Sequence, residues 1–193
     1  MSSMFAGCGW NKLTSINLGK NFDTSNVTDM TDMFYNFAFD SKISLDLGNN
    51  FDTSKVTNMM GMFSSTGITT LSLRDNFDTS SVTDMSFMFA YCKVSTLDLG
   101  EKFDTSKVTD MNSMFYDCGK NSMTSLYLGE KFDTSKVTNM DLMFNGCGQN
   151  SMTSLDLGPA FTNIPDNISY IIDFTNCGKQ GEIVIHAPES IYA

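Results

Sequence analysis

Basic residues are scarce in this chain of 193 residues: 12 Lys and Arg stand against 22 Asp and Glu, for a net charge of −10. Holding nucleic-acid phosphates or settling on an anionic membrane takes a clustered positive patch, so neither partner is expected. Histidine occurs once, at His186, after the last strand, so any Ser-His-Asp or Cys-His catalytic set would have to use it. No phosphate-cradling glycine loop, nucleophile elbow or zinc-protease motif is present. These absences point away from an enzyme. Apolar runs stop after a few residues, far short of the roughly 20 that span a bilayer. No membrane insertion is expected, and the N-terminus shows no signal-peptide pattern. Only 18% of residues are charged, so long exposed helices laced with ion pairs are not expected.

What is there is a repeat. Phe-Asp-Thr-Ser-x-Val-Thr-Asp/Asn-Met-x-x-Met-Phe, followed by a variable stretch and Leu-x-Leu-Gly, begins at Phe22, Phe51, Phe77, Phe103 and Phe132. A decayed copy begins at Phe161, and successive starts differ by 29, 26, 26, 29 and 29 residues. Such a period is the signature of a solenoid, in which each unit buries its apolar face against its neighbours. The division expected is a repeat solenoid over 1–160 and a degenerate capping repeat over 161–193. Phe161-Thr162-Asn163-Ile164-Pro165 has lost Asp-Thr-Ser, and Pro159, Pro165 and Pro188 all fall at or near this end, where proline stops a ladder. Met1 to Cys8 lies in register with Met111 to Cys118, so the chain is read as starting in mid-repeat, a piece of a longer protein.

Within a repeat, Val108, Met111, Met114, Phe115 and Cys118 recur at helical spacing, which predicts a helix of two to three turns. Thr28, Thr57, Thr83, Thr109 and Thr138 suit its N-cap, and the Asp that often follows suits the positive end of its dipole. Met123 to Leu128 then alternates as a strand, with Leu126 and Leu128 inward and Ser125 and Tyr127 outward. Seven such strands are expected, near Ile16, Leu45, Leu71, Leu97, Leu126, Leu155 and Ile183, stacked as one parallel sheet. The 26- and 29-residue copies differ in the loop between the two elements: Cys118 to Met123 is three residues longer than Cys92 to Val94.

Leu-x-Leu with Met-Phe-x-x-Cys resembles the BspA-like leucine-rich-repeat family. More closely, FDTSxVTDMxxMFxxC is similar to the DUF285-like repeat of bacterial surface proteins. The resemblance covers nearly the whole chain. It implies a right-handed leucine-rich-repeat-like α/β solenoid, one parallel sheet with short helices opposite, in an extracellular or cell-surface protein.

Several columns invite a functional reading. Cys8, Cys92, Cys118, Cys147 and Cys177 share a position filled by Phe37 and Thr66 elsewhere, which reads as packing by reduced thiols. No Cys/His pair has zinc spacing. Asp23, Asp52, Asp78, Asp104 and Asp133 read as Asx-turns; calcium is the sharper alternative, but the calcium-repeat pattern is missing. The two methionine columns read as core. No cofactor is expected. The outward sheet face remains, with Asn17, Asp46, Ser72, Asp98, Tyr127 and Asp156 in its more variable column. Asp46, Asp98, Tyr127 and Asp156 are the candidate binding residues, Tyr127 being of the type enriched at hot spots. The function expected is a non-catalytic surface module that binds a host or matrix protein or a glycan in adhesion. The alternative is a structural spacer or stalk. The half-repeat at 1–12 leaves the first strand edge uncovered, which favours self-association there.

Overall fold

A computed structural model describes residues 1–10, 12–19, 21–48, 50–74, 77–162 and 174–189. The chain is a parallel β-solenoid. Its coils follow the repeats that begin at Phe22, Phe51, Phe77, Phe103 and Phe132, with a partial coil at each end of the described residues. Each contributes one short strand: β1 Ile43–Leu45, β2 Ile68–Ser72, β3 Thr96–Asp98, β4 Ser125–Tyr127 and β5 Ser154–Asp156, with β6 Val184–His186 following. All ladders are parallel, and Leu45, Leu71 and Leu97 lie in register, as do Leu126, Leu155 and Ile185. The inward leucines are buried, as the alternation requires.

Two expectations fail. Instead of one seven-stranded sheet the described residues form two three-stranded sheets, β1-β2-β3 and β4-β5-β6, and residues 12–19 around Ile16 form no strand. Loop length accounts for the division. The 26-residue coils leave the core through a short turn, whereas the coil at 103–131 needs room for three more residues before β4. The ladder stops where short gives way to long. At the opposite switch, from the long coil of β1 to the short coil of β2, the strands still pair, with a register shift between Ile43 and Ser44.

The second failure concerns the helices: no α-helix is present among the described residues. Val108, Met111, Met114, Phe115 and Cys118 are buried as predicted, but on a chain of successive turns. Met33 N–H donates to the Met30 carbonyl and Phe37 N–H to that of Phe34, while Asp32 and Asn36 take φ of 53° and 52°. Intervening N–H groups leave the coil altogether. Met30, Asp32, Phe34 and Asn36 donate to the carbonyls of Asn58, Met60, Met62 and Ser64, at 2.8–3.0 Å. The same pattern recurs from Met59, Met85 and Met111 onward. Identical neighbours satisfy the backbone across coils, so the i−4 bonds of a helix are not needed. The threonines expected as N-caps serve that linkage: Thr57, Thr83, Thr109 and Thr138 donate through N–H and hydroxyl to the carbonyl of the preceding threonine. Asp29, Asn58, Asp84 and Asp110 accept the N–H two residues on, closing Asx-turns rather than facing a helix dipole.

Two phenylalanine stacks run along the core. Phe5, Phe34, Phe63, Phe89, Phe115, Phe144 and Phe174 follow one another at 5.3–5.8 Å between ring centroids. Phe22–Phe51–Phe77 and Phe103–Phe132–Phe161 repeat at 6.1–6.3 Å. The paired methionines Met30/Met33 through Met140/Met143 fill the space beside them and are fully buried.

The threonine of Phe-Asp-Thr-Ser clamps one coil to the next. Thr79 is buried, its hydroxyl donates to the Asp104 carbonyl at 2.8 Å, and the Asp104 N–H donates to it at 2.7 Å. Thr24, Thr53 and Thr105 donate to the carbonyls of Asp52, Asp78 and Asp133 in the same way. Thr79→Val keeps the shape and strands two backbone groups. It should lower unfolding free energy by about 1–3 kcal/mol in a denaturant titration; an unchanged midpoint would mean that the hydroxyl does not hold the coils together.

The stretch expected to cap the solenoid, 161–193, is described in part. β6 extends the second sheet, and Phe161 and Cys177 are buried. Pro165, and with it most of the altered stretch, lies outside the described residues.

Candidate functional site

The candidate residues stand on the outward face of the sheets. Tyr127 pairs in register with Asp156, and Asp156 with His186. His186 therefore belongs to the candidate column itself, as an exposed member of β6, and not to a segment beyond the last strand. Three of the four candidates have a structural task that the sequence reading did not assign them. Asp46, Asp98 and Asp156 each accept, at 3.0 Å, the N–H of the glycine two residues on, Gly48, Gly100 and Gly158. Those glycines have φ of 75–76°, and the Asx bond fixes the turn leaving the strand. The recurrence of Asp in this column follows from the turn. Tyr127 has no such duty and is 47% exposed.

The Asx-turn reading of the other Asp column holds geometrically. Asp23, Asp52, Asp78, Asp104 and Asp133 accept the N–H of Ser25, Ser54, Ser80, Ser106 and Ser135 at 2.7–2.9 Å. The Ser25 N–H holds the Asp23 carboxyl below its ordinary range. At Asp78 burial pushes the carboxyl up, but the Ser80 hydroxyl and N–H, with Lys102 and Lys131, outweigh it and the balance is downward. Among the described residues no three His, Cys, Asp or Glu side chains converge on a metal-sized site.

The cysteine column is core. All five thiols are free; Cys92, Cys118, Cys147 and Cys177 are buried, and Cys8 is exposed. Burial pushes the Cys92 and Cys177 thiols up to about 12, which keeps them protonated and poor nucleophiles. The Cys118 thiol is raised too, first by its hydrogen bond with Cys147.

Where the sheet divides, a cleft opens. Leu97, Leu99 and Phe103 floor it, Asp98 and Glu101 edge it from one coil, and Tyr127, Glu130 and Lys131 from the next; its volume is about 530 Å³. The structure thus brings Asp98 and Tyr127 together. The Tyr127 hydroxyl donates to Glu130 Oε1, a bond that raises the phenol's pKa and fixes the ring at the rim. Ser72 Oγ donates to Asp98 Oδ2 at 2.9 Å. Asp46 lies apart, beside a hollow of about 560 Å³ against the partial first coil, and forms an exposed ion pair with Arg74 at 3.6 Å. Asp156 is half-buried beyond the cleft. Glu101 and Glu130 were missed by sequence reading, although the change of repeat length from 26 to 29 residues marks the place.

Comparison with known proteins agrees with the repeat. The family model described as "Mycoplasma protein of unknown function, DUF285" matches residues 1–126 and 95–156. The chain belongs to this family. No curated protein and no solved structure matches it. The Thr clamp and the buried Met-Phe pair recur from coil to coil within the matched residues. The cleft arises from something narrower, the order in which this DUF285 chain places its short and long coils. No helix among the described residues is long and apolar enough to cross a membrane.

Proposed function

We propose that this chain is a non-catalytic recognition module of a BspA-like, cell-surface protein, and that the cleft between β3 and β4 receives a basic segment of a partner protein. The observation that carries the reading is the cleft itself. It opens between the two sheets, and it gathers three carboxylates against the single cation Lys131, with an exposed tyrosine and an apolar floor at one place. A lysine or arginine side chain suits it, with its stem on Leu97 and Leu99 and its charge among Asp98, Glu101 and Glu130. Tyr127 adds a rigid ring at the rim. The acidic surroundings raise the encounter rate with a basic partner, an effect that salt weakens.

The spacer reading draws support from the Asx role of Asp46, Asp98 and Asp156, because a face made by turn requirements needs no ligand to explain it. The two readings separate in one experiment. Immobilised parent chain and a Tyr127→Ala/Glu130→Gln variant are compared for capture of an Arg/Lys-rich peptide and of its Glu-substituted counterpart. The parent should bind the basic peptide alone, with an on-rate falling as salt rises. Tyr127→Ala/Glu130→Gln should weaken binding by about 2 kcal/mol, roughly thirtyfold. Equal capture by parent and variant leaves the spacer as the function.

A further inference from the structure

A second hollow lies on another side of the solenoid, and its chemistry is the opposite of the cleft's. The two short coils form its floor, through Ser65, Gly67 and Thr69 and through Tyr91, Lys93 and Ser95. The longer loops on either side form its walls: Phe39 and Lys42 from the coil at 22–50, Lys120 and Asn121 from the coil at 103–131. The volume enclosed is about 840 Å³. The walls stand three coils apart, about 14 Å at the spacing of parallel strands. The same order of long, short, short and long coils that divides the sheet therefore also builds a groove.

Its floor cannot fill in easily. A Cβ on Gly67 would meet the Ala38 carbonyl at 1.9 Å and that of Ser41 at 2.4 Å, so the backbone here lies directly against the long loop. Lys93 crosses the short coil: its Nζ donates to the Phe39 carbonyl at 2.7 Å and stands 3.8 Å from the Phe39 ring centroid. It also lies 3.6 Å from Asp40. Lys120 pairs with Asp117 at 3.0 Å, and Lys42 has no ion pair among the described residues. In a chain of net charge −10, the three lysines here exceed the two carboxylates beside them, Asp40 and Asp117, by one. Tyr91 is 50% exposed and sits edge-on to Tyr116 at 5.1 Å, which holds its ring in place. Trp10, also 50% exposed, extends the aromatic wall beyond Phe39 at 5.6 Å.

We propose that this groove binds an acidic oligosaccharide. Sugar rings present an apolar C–H face that stacks on fixed aromatic rings, here Tyr91 and the Phe39 wall. Their hydroxyls need both donors and acceptors, which the amides of Asn36 and Asn121 and the hydroxyls beside them supply. Carboxylate or sulfate groups on the sugar answer Lys42, with Lys93 and Lys120 able to turn from their present partners. An acidic peptide matches the charge but not the rest. The floor offers no row of apolar pockets for alternate side chains, and β2 and β3 are paired with each other rather than open to an added strand. The site is independent of the cleft at Tyr127.

The test is calorimetric titration of the whole chain with a short heparin fragment, an oligogalacturonate, neutral maltohexaose and a poly-glutamate peptide. One or both acidic sugars should bind saturably at one site, with the neutral sugar and the peptide much weaker. Tyr91→Ala leaves the charge unchanged and should weaken binding about tenfold, while Tyr91→Phe retains it. Lys42→Glu should weaken it further, and Tyr127→Ala should leave it as in the parent. Each variant's melting curve shows whether it is folded. The proposal is overturned if neither acidic sugar binds, if poly-glutamate binds as tightly, or if folded Tyr91→Ala binds like the parent.

Discussion

Replacing Phe115 by alanine should destabilise the chain by about 3–5 kcal/mol, the usual cost of emptying a buried aromatic site. Phe115 is fully buried and stacks on Phe89 at 5.4 Å and on Phe144 at 5.5 Å, with nearly parallel planes. Each aromatic contact adds about 0.5–1.5 kcal/mol beyond the area it buries. A solenoid makes the loss worse than in a globular core, because coils contact only their neighbours and no other element can close over the gap. For a chain of this size the midpoint of thermal unfolding should fall by about 10 °C. Unfolding should lose cooperativity as well, with the two halves of the stack separating at different denaturant concentrations. Phe5→Ala supplies the contrast. Phe5 is only half-buried and ends the stack, so its loss should fray one end and leave the main transition in place. Equal effects of the two substitutions would mean that the stack does not transmit stability along the axis.

The frame was legible in the sequence because a solenoid writes it down repeatedly. Val108, Met111, Met114 and Phe115 were assigned to the core, and all are buried. Leu126 and Leu128 were assigned to the inner face, and both are buried. The conformation of the Met-Phe segment was not legible from apolar spacing. A run of turns, like a helix, returns side chains to one face every three or four residues, and periodicity alone does not tell the two apart. A finer signal was present. Residues with positive φ recur in two columns, Asp32/Gly61/Phe87/Ser113/Leu142 and Asn36/Ser65/Tyr91/Asp117/Gly146. Glycine, asparagine or aspartate, the residues that suit a left-handed position, stand at Asp32, Gly61, Asn36, Asp117 and Gly146, whereas Phe87, Tyr91, Leu142 and the serines hide the pattern in the other coils. The candidate site divides along similar lines. Tyr127 was found because it breaks a pattern. Asp46, Asp98 and Asp156 were singled out as free to vary in function, yet each closes a turn. Glu101, Glu130, Phe39 and Tyr91 were passed over, because the cleft and the groove depend on the order of coil lengths and no single coil contains either.

That order gives the last expected result. Gly100 and Gly129 occupy the same place in successive coils, both with positive φ, 76° and 94°. A Cβ on Gly100 would meet the Leu73 carbonyl at 2.0 Å, and one on Gly158 the Gly129 carbonyl at 2.3 Å, because coils press together at this turn. A Cβ on Gly129 would meet nothing within 4 Å, since the sheet is open between β3 and β4. Gly129→Ala should therefore carry only the cost of a left-handed alanine, about 1–2 kcal/mol. Gly100→Ala carries that cost and must also push two backbones apart, for about 3–4 kcal/mol in all. Denaturant titration of the two variants measures the difference. A gap of about 2 kcal/mol between them is the thermodynamic trace of the cleft. If Gly129→Ala is as damaging as Gly100→Ala, the coils at 77–102 and 103–131 press together in solution as the others do. The cleft is then closed, and a partner could enter it only by separating β3 from β4.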